Sequence, residues 1–158
     1  MTPDKAKAKE AVARTHGFLA AIPFNSLLGI QISRAHPDGV TLHCKVKREL
    51  LNSNKVLHGG VSAAIADAAV GVAIQHRFAG KRAITTVELK VNYFRPVAEG
   101  TLFARARLLR VGSTLCVGQV NLTDDKKNLV GVAIVTYIFL DARGAAATSD
   151  SIVSRGKE

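Results

Sequence analysis

The chain has 158 residues, of which 47% are hydrophobic, so it has the size of one domain and can bury a core. Its formal net charge of +10 favours a negatively charged partner: nucleic acid, a membrane surface or a phosphate-bearing small molecule. Nucleic-acid binding is disfavoured, because the chain has no Trp and only two Tyr, and its Lys and Arg residues are scattered.

The leader, residues 1–21, predicts a short helix from about Lys5 to Ala21 that ends before Pro23. Its apolar run FLAAIPF is short and lacks a small-residue cleavage site, which disfavours a secretion signal. Cys44 and Cys116 form no Cys-x-x-Cys pair, and we expect two buried, reduced thiols. The sequence therefore predicts a cytoplasmic protein that does not bind membranes.

The next segment predicts a β-hairpin followed by a loop. Apolar and polar residues alternate from Ile30 to Val46, and the alternation is broken by the turn sequence HPDG, so two strands are expected. Residues 47–57 are polar and rich in Asn and Ser, which indicates a loop that leads to His58.

A buried helix is predicted after this loop. Helix-forming residues run from Ala63 to Ala73 and are apolar around almost the whole circumference, which is typical of a helix inside a core. After Gly80 the period changes to two, with one face formed by Val87, Leu89, Val91 and Tyr93 and the other by Thr86, Glu88, Lys90 and Asn92.

Three more strands are expected near Thr101–Val111, Leu115–Asp124 and Leu129–Leu140, and the tail, residues 141–158, is predicted to be disordered. The fold class is therefore α+β, one domain over residues 22–140, with an antiparallel sheet wrapped around a long central helix. Several strands are apolar on both faces, so we expect a second subunit to cover part of the sheet.

Asp67 is the most informative residue of this helix. It is the only side chain between His58 and His76 that ionises readily, and burying an unpaired carboxylate costs several kcal/mol. Gly59 and Gly60 open the helix and are predicted to leave its first amide hydrogens bare, where they can hold developing negative charge. A carboxylate, a histidine and bare amides suit acyl transfer. No metal is expected, because His58 has no partner ligands nearby.

The spacing of these groups predicts a site shared between subunits. Gly59 and Asp67 are separated by about 12 Å along a helix, whereas a donor and a base must each lie within about 3 Å of the reacting group. Two such helices running antiparallel across a two-fold axis would bring Asp67 of one subunit beside Gly59 of the other.

A longer pattern contains these residues: Asn52 six positions before His58, then His58-Gly59-Gly60, then Asp67, then TTVELKVNYFRP. With the flanking segments from IPFNSLLGI to TYIFL, it resembles the hotdog-fold acyl-CoA thioesterases, in particular the phenylacetate-degradation branch that includes the thioesterase-superfamily-member-2 type. The resemblance implies an acyl-CoA thioesterase without a cofactor, built as a homodimer that assembles into a homotetramer.

The resemblance also implies roles for individual residues. Asp67 would be the general base or nucleophile, the Gly59 amide would polarise the thioester carbonyl, Asn52 and His58 would position loop, water or substrate, and Thr86 would orient the water. Two departures stand out. Relatives frequently have glycine at the position of Lys55, so this departure concerns the conformation of the loop. Relatives often have a basic residue at the position of Ser113, where it would anchor the phosphates of coenzyme A.

Four of these residues also have a purely structural interpretation. Asp67 could be a buried residue satisfied by Thr or backbone groups, His58 a loop-fixing residue, Asn52 a turn residue and Thr86 an ordinary strand residue. For binding coenzyme A and its phosphates the candidates are Gly60, Lys81, Arg82, Lys90, Arg95 and Arg110.

Two other functions remain open at this stage. One is a hotdog hydratase or dehydratase, which needs a proton shuttle matched to a hydroxyacyl chain. The other is an acyl-CoA sensor without catalysis, but the leader before Ile22 is too short for a helix-turn-helix.

Overall fold

The computed structural model describes residue 13 and residues 15–140. Residues 15–20 are helical. They are followed by helix α1 (Pro23–Leu28), strands β1 (Gln31–His36) and β2 (Gly39–Lys45), and a 3-10 turn (Arg48–Leu50). Helix α2 (Gly59–Arg77) comes next, and strands β3 (Ala83–Tyr93), β4 (Thr101–Val111), β5 (Leu115–Thr123) and β6 (Leu129–Leu140) complete the order. The predicted hairpin, central helix and four later strands are confirmed, whereas the predicted tail and most of the leader lie outside the described residues.

Helix α1 is an element that the sequence analysis missed. Pro23 was interpreted as a helix stop, yet it lies in the first turn of α1, where its missing N–H costs no hydrogen bond. The helix ends at Gly29, whose φ of 71° is the left-handed conformation that glycine adopts without strain.

The six strands form one antiparallel sheet in the order β1-β2-β4-β5-β6-β3. Helix α2 packs against one face of this sheet and buries large side chains such as Ile65, Val70 and Ile74. This confirms the predicted α+β architecture of a sheet around a central helix.

The central helix is not covered on all sides by the described residues, which corrects the prediction of a fully buried helix. Its covered side contains Ile65, Ala66 and Ala69, none of which is exposed to solvent. The opposite side is a stripe of mostly small residues that are exposed or half-buried, namely Gly60, Ala63, Ala64, Asp67 and Ala68. Residues three and four positions apart share a face of a helix, so this stripe is continuous.

A register shift in β3 corrects the predicted faces of that strand. Thr86 was placed on the face opposite Tyr93, because the two residues are an odd number of positions apart. In the structure both point towards α2, where Thr86 contacts Asp67 and Tyr93 contacts Gly59. The pairing with β6 is irregular between Thr86 and Glu88, and an extra residue at that point reverses the alternation.

Candidate active site

The first turn of α2 presents one free amide. The His58 ring caps the helix, because its Nδ1 accepts the Gly60 N–H at 2.9 Å. The prediction that both glycine amides are bare is therefore wrong for Gly60. Among the described residues, the Gly59 N–H has no hydrogen-bond acceptor. Gly59 is thus the helix-start donor that remains available to an oxyanion.

Asn52 organises the loop that precedes this turn. Its Oδ1 accepts the N–H groups of Asn54 at 2.9 Å and Val56 at 3.3 Å, which is the turn role left open above. Lys55 has a φ of 58°, the left-handed conformation for which glycine is favoured. The loop therefore adopts a glycine-like backbone although this chain has lysine there.

A cavity of about 340 Å³ lies beside the helix start. Asn52, Gly59, Tyr93 and Arg95 are among its lining residues. The Tyr93 hydroxyl donates to the Gly59 carbonyl at 2.9 Å and so fixes the first helical residue. Sequence reasoning missed this contact, because Tyr93 was considered only as a strand residue and no local spacing links it to Gly59.

Asp67 is held from β3 and β6. The Thr86 hydroxyl donates to its Oδ1 at 2.9 Å. The Tyr137 hydroxyl donates to the Asp67 main-chain carbonyl at 3.0 Å. Burial, and then the charge of Asp67, raise the pKa of Tyr137 above its usual value, so this hydroxyl remains protonated over the working range of pH.

A second cavity, of about 290 Å³, opens beside Asp67. Its wall is mainly apolar, with small residues from α2 facing larger ones from the leader and α1: Ala64, Ala68, Gly71, Val72, Phe18, Ile22 and Phe24. Thr85, Thr86 and Tyr137 line it near the carboxylate, and Asn25 is a further polar residue in the wall. Tyr137 and Asn25 are among the residues of this cavity that sequence reasoning did not identify.

The structure does not bring all predicted site residues together within one protomer. Asn52 and Gly59 line the first cavity, and Asp67 and Thr86 line the second. Eight helical positions, or about 12 Å, separate Gly59 from Asp67. One chain therefore holds a donor and a carboxylate in two separate cavities.

Of the predicted cationic residues for coenzyme A, only Arg95 lines either cavity. Lys81, Lys90 and Arg110 are exposed on β3, β4 or the turn after α2. Arg82 stacks over the Phe139 ring at 3.9 Å and donates to the Ser113 carbonyl at 3.3 Å. The Arg82 guanidinium therefore lies beside Ser113, the position at which the family resemblance predicts a basic residue.

The two cysteines are unsuited to act as nucleophiles. Cys44 and Cys116 are fully buried, and burial raises the pKa of both thiols. In the part of the chain that the structure describes, no cluster of His, Cys, Asp and Glu has the arrangement of a metal site. Among the same residues, no helix has the length and hydropathy needed to cross a bilayer.

Comparisons with known proteins agree with this architecture. A family model described as the thioesterase superfamily matches residues 54–130, which include Gly59, Asp67 and Thr86. A candidate esterase of Halobacterium salinarum is 31% identical over 124 residues, covering 75% of this chain and 78% of that protein. The medium/long-chain acyl-CoA thioesterase YigI of Escherichia coli K12 is 26% identical over 136 residues, covering 77% of this chain and 88% of that protein.

A solved structure supports the fold independently. The PaaI protein of the phenylacetic acid degradation operon of E. coli superposes with a TM-score of 0.76 at 20% identity, covering 84% of this chain and 95% of that one. At this identity the similarity concerns the fold alone. The sequence-based resemblance is confirmed.

Proposed function

Because this chain belongs to the thioesterase superfamily of hotdog-fold thioester hydrolases, we propose that it hydrolyses an acyl- or aryl-acyl-coenzyme A to the free acid and coenzyme A. The observation that carries this proposal is the Asp67 carboxylate, held by the Thr86 hydroxyl in the wall of a mainly apolar cavity. The acyl-CoA thioesterase YigI, a relative that matches most of this chain, supports the same substrate class.

The chemistry needs a base or nucleophile and an oxyanion donor. In one route Asp67 takes a proton from water, the water oxygen attacks the thioester carbon, the C–S bond breaks, and the coenzyme A thiolate leaves and is protonated. In the other route Asp67 itself attacks, releasing the thiolate and forming an anhydride that water then hydrolyses. In both routes the Gly59 N–H stabilises the negative oxygen of the tetrahedral intermediate.

We place the complete site between two subunits. Strand β3 is an edge of the sheet, with eleven residues and exposed Val87 and Tyr93, and an unpaired edge can pair with a second copy of itself. Thr86 contacts Asp67 and Tyr93 contacts Gly59 of the same protomer. If β3 pairs antiparallel with Thr86 opposite Tyr93 of a second copy, Asp67 of one subunit lies on the side of Gly59 of the other.

The remaining expectations belong to this proposal. Arg95, in the cavity beside Gly59, is the best-placed cation for a coenzyme A phosphate. The outer face of β6 presents half-buried Val132, Ile134 and Ile138, which suits the pairing of two dimers into a homotetramer. We expect the enzyme to work in the cytoplasm, without nucleic acid or membrane partners.

Thiol release from short, long, branched and aryl acyl-CoAs tests the function. We expect hydrolysis of at least one class, and loss of turnover by at least about a thousandfold in Asp67→Asn, with coenzyme A binding retained. Glu88→Gln, which removes an exposed carboxylate from the strand that holds Thr86, is the matched control and should leave turnover unchanged. The buried cysteines should not react with the thiol reagent in the native protein.

Three results would contradict the proposal. Near-normal turnover of Asp67→Asn would remove Asp67 from the mechanism. Binding of acyl-CoA without thiol release in the wild type would favour a sensor. Hydration of crotonyl-CoA in place of hydrolysis would favour a hydratase.

A further inference from the structure

The peptide group that joins Gly59 to Gly60 is held by a hydrogen bond on each side. The Tyr93 hydroxyl donates to its oxygen, the Gly59 carbonyl, at 2.9 Å. Its N–H, that of Gly60, donates to Nδ1 of the His58 ring at 2.9 Å. These groups form a chain of hydrogen bonds from Tyr93 through one peptide group to His58, in which each bond polarises the next.

This peptide group needs support from outside the helix. It joins the first two residues of α2, and both are glycine, the residue type that loses most conformational freedom when a helix forms. The ends of helices fray, and fraying of this turn would change the direction of the Gly59 N–H. The free donor of the helix start is therefore only as well aimed as the peptide group that follows it.

Tyr93 provides this support from a fixed position in the sheet. Its main chain pairs with Gly131 of β6, and the N–H of the next residue, Phe94, donates to the Val130 carbonyl at 2.9 Å. The Tyr93 ring also lies against Gly59, because a Cβ added to this glycine would be 3.3 Å from the ring. A paired strand thus holds the glycine start of α2 through one side chain.

Resting on the proposed thioesterase function, we propose that Tyr93 is a positioning residue that orients the Gly59 N–H towards the oxyanion of the tetrahedral intermediate. A donor that is aimed before the reaction stabilises the developing charge without reorganising during it. Tyr93 acts through Gly59 and not on the substrate. Loss of its hydroxyl weakens an interaction that is strongest in the transition state, so kcat should change more than KM.

Tyr93→Phe tests this role, because it removes the hydroxyl and keeps the ring. We expect kcat to fall about 5–10-fold, the value of one neutral hydrogen bond, with KM changed by less than about twofold. Asn92→Ala, at the exposed neighbouring position on the other face of β3, is the control and should leave both constants unchanged. A lower Tm with unchanged kcat in Tyr93→Phe would show a merely structural hydroxyl and would overturn the proposal.

A double variant shows whether Tyr93 acts through Gly59. Gly59→Pro lacks the N–H, so adding Tyr93→Phe should lower its residual rate by less than about twofold. A further loss of about 5–10-fold in the Gly59→Pro background would mean that the two effects are independent. The hydroxyl would then act on the substrate directly, and the positioning role would be overturned.

The vibration of the bound thioester carbonyl gives a readout without turnover. Octanoyl-CoA that carries a heavy isotope at this carbonyl is bound to Asp67→Asn and measured by infrared difference spectroscopy. A hydrogen bond from the Gly59 N–H polarises the carbonyl and lowers its stretching frequency. Adding Tyr93→Phe to Asp67→Asn should raise this frequency again, whereas adding Asn92→Ala should leave it unchanged.

The positioning role and the thioesterase function fail in distinguishable ways. A carbonyl frequency that depends on Tyr93, in a protein whose wild type hydrolyses no acyl-CoA, would overturn the thioesterase function and support the positioning of the donor. Hydrolysis by the wild type, with kcat and the carbonyl frequency unchanged by Tyr93→Phe, would overturn the role of Tyr93 and leave the function intact.

Discussion

The two cavities along the central helix have a common construction and opposite chemistry. At each, a tyrosine hydroxyl donates to a helix carbonyl: Tyr93 to Gly59 at the helix start, and Tyr137 to Asp67 in its middle. The first cavity has a free amide and Arg95, which suit negative charge. The second has a carboxylate and an apolar wall, which suit a base and an acyl group. Each cavity contains what the other lacks, and we therefore propose that the two are complementary half-sites of one site.

The largest effect is expected from removing the hydrogen-bond donor of the first half-site, the Gly59 N–H. Gly59→Pro deletes the N–H, and proline is tolerated here because Gly59 is the first helical residue and His58 is extended, with φ −60° and ψ 133°. We expect kcat to fall by about 10²–10³-fold, the effect of losing one oxyanion donor.

Gly59→Ala is the matched control for this substitution. It keeps the N–H while adding a Cβ that would lie 3.3 Å from the Tyr93 ring, so it measures the steric part of the change. Equal kcat values for the alanine and proline variants would exclude the Gly59 amide from catalysis. Circular dichroism and Tm establish that both variants fold.

The second half-site is tested through Thr86, which acts on Asp67 and is a positioning residue. Thr86→Val removes the hydroxyl that donates to Oδ1 with little change in shape, and we expect kcat to fall about 10–100-fold with a small change in KM. Thr86→Ser keeps the donor and should restore most of the rate. Failure of serine to restore it would indicate that packing by the Thr86 methyl, and not its hydrogen bond, is what matters.

A smaller effect is expected from a substitution that crowds Tyr137, whose hydroxyl donates to the Asp67 main-chain carbonyl. A Cβ at Gly71 would lie 2.8 Å from the Tyr137 hydroxyl, so Gly71→Ala should displace that hydroxyl from the Asp67 carbonyl and lower the free energy of unfolding by about 1–3 kcal/mol. Denaturant titration measures this change.

Two variants show whether this loss is steric. Gly17→Ala, a helical position with open space around the added Cβ, should be neutral or stabilising by up to about 1 kcal/mol. Adding Tyr137→Phe to Gly71→Ala should recover part of the loss, because the clashing hydroxyl is gone. A double variant no more stable than Gly71→Ala would show that the hydroxyl is not the cause.

The parts of the fold that were predictable from sequence are those with local signals. Strand ends were found because glycine, proline and Asp-Asn-Lys turns delimit them, and the central helix because His58-Gly59-Gly60 opens an apolar run. Helix α1 was missed because proline is found both after the end of a helix and in its first turn. The residues next to Pro23 do not distinguish these two positions.

The site was predictable where chemistry is concentrated in one segment and not where it depends on distant contacts. Asp67 stands out as the one acid in an apolar helix. Thr86 on β3 was named through the family resemblance alone, because the bulge that turns it towards Asp67 leaves no mark in the residue pattern. Tyr137 on β6 was not identified, because its contact with Asp67 joins residues far apart in the chain. Asn25 was overlooked because a polar residue in a short segment carries no signal of burial.

Subunit mixing tests the shared site most directly. Asp67→Asn and Gly59→Pro proteins, each inactive, are dissociated, combined in equal amounts and reassociated, with heterodimers counted by native mass spectrometry. If each site takes Asp67 from one subunit and Gly59 from the other, every heterodimer has one intact site, and random mixing should restore about a quarter of wild-type thiol release. Activity no higher than that of the separate variants, in a sample with proven heterodimers, would contradict a site formed by two subunits.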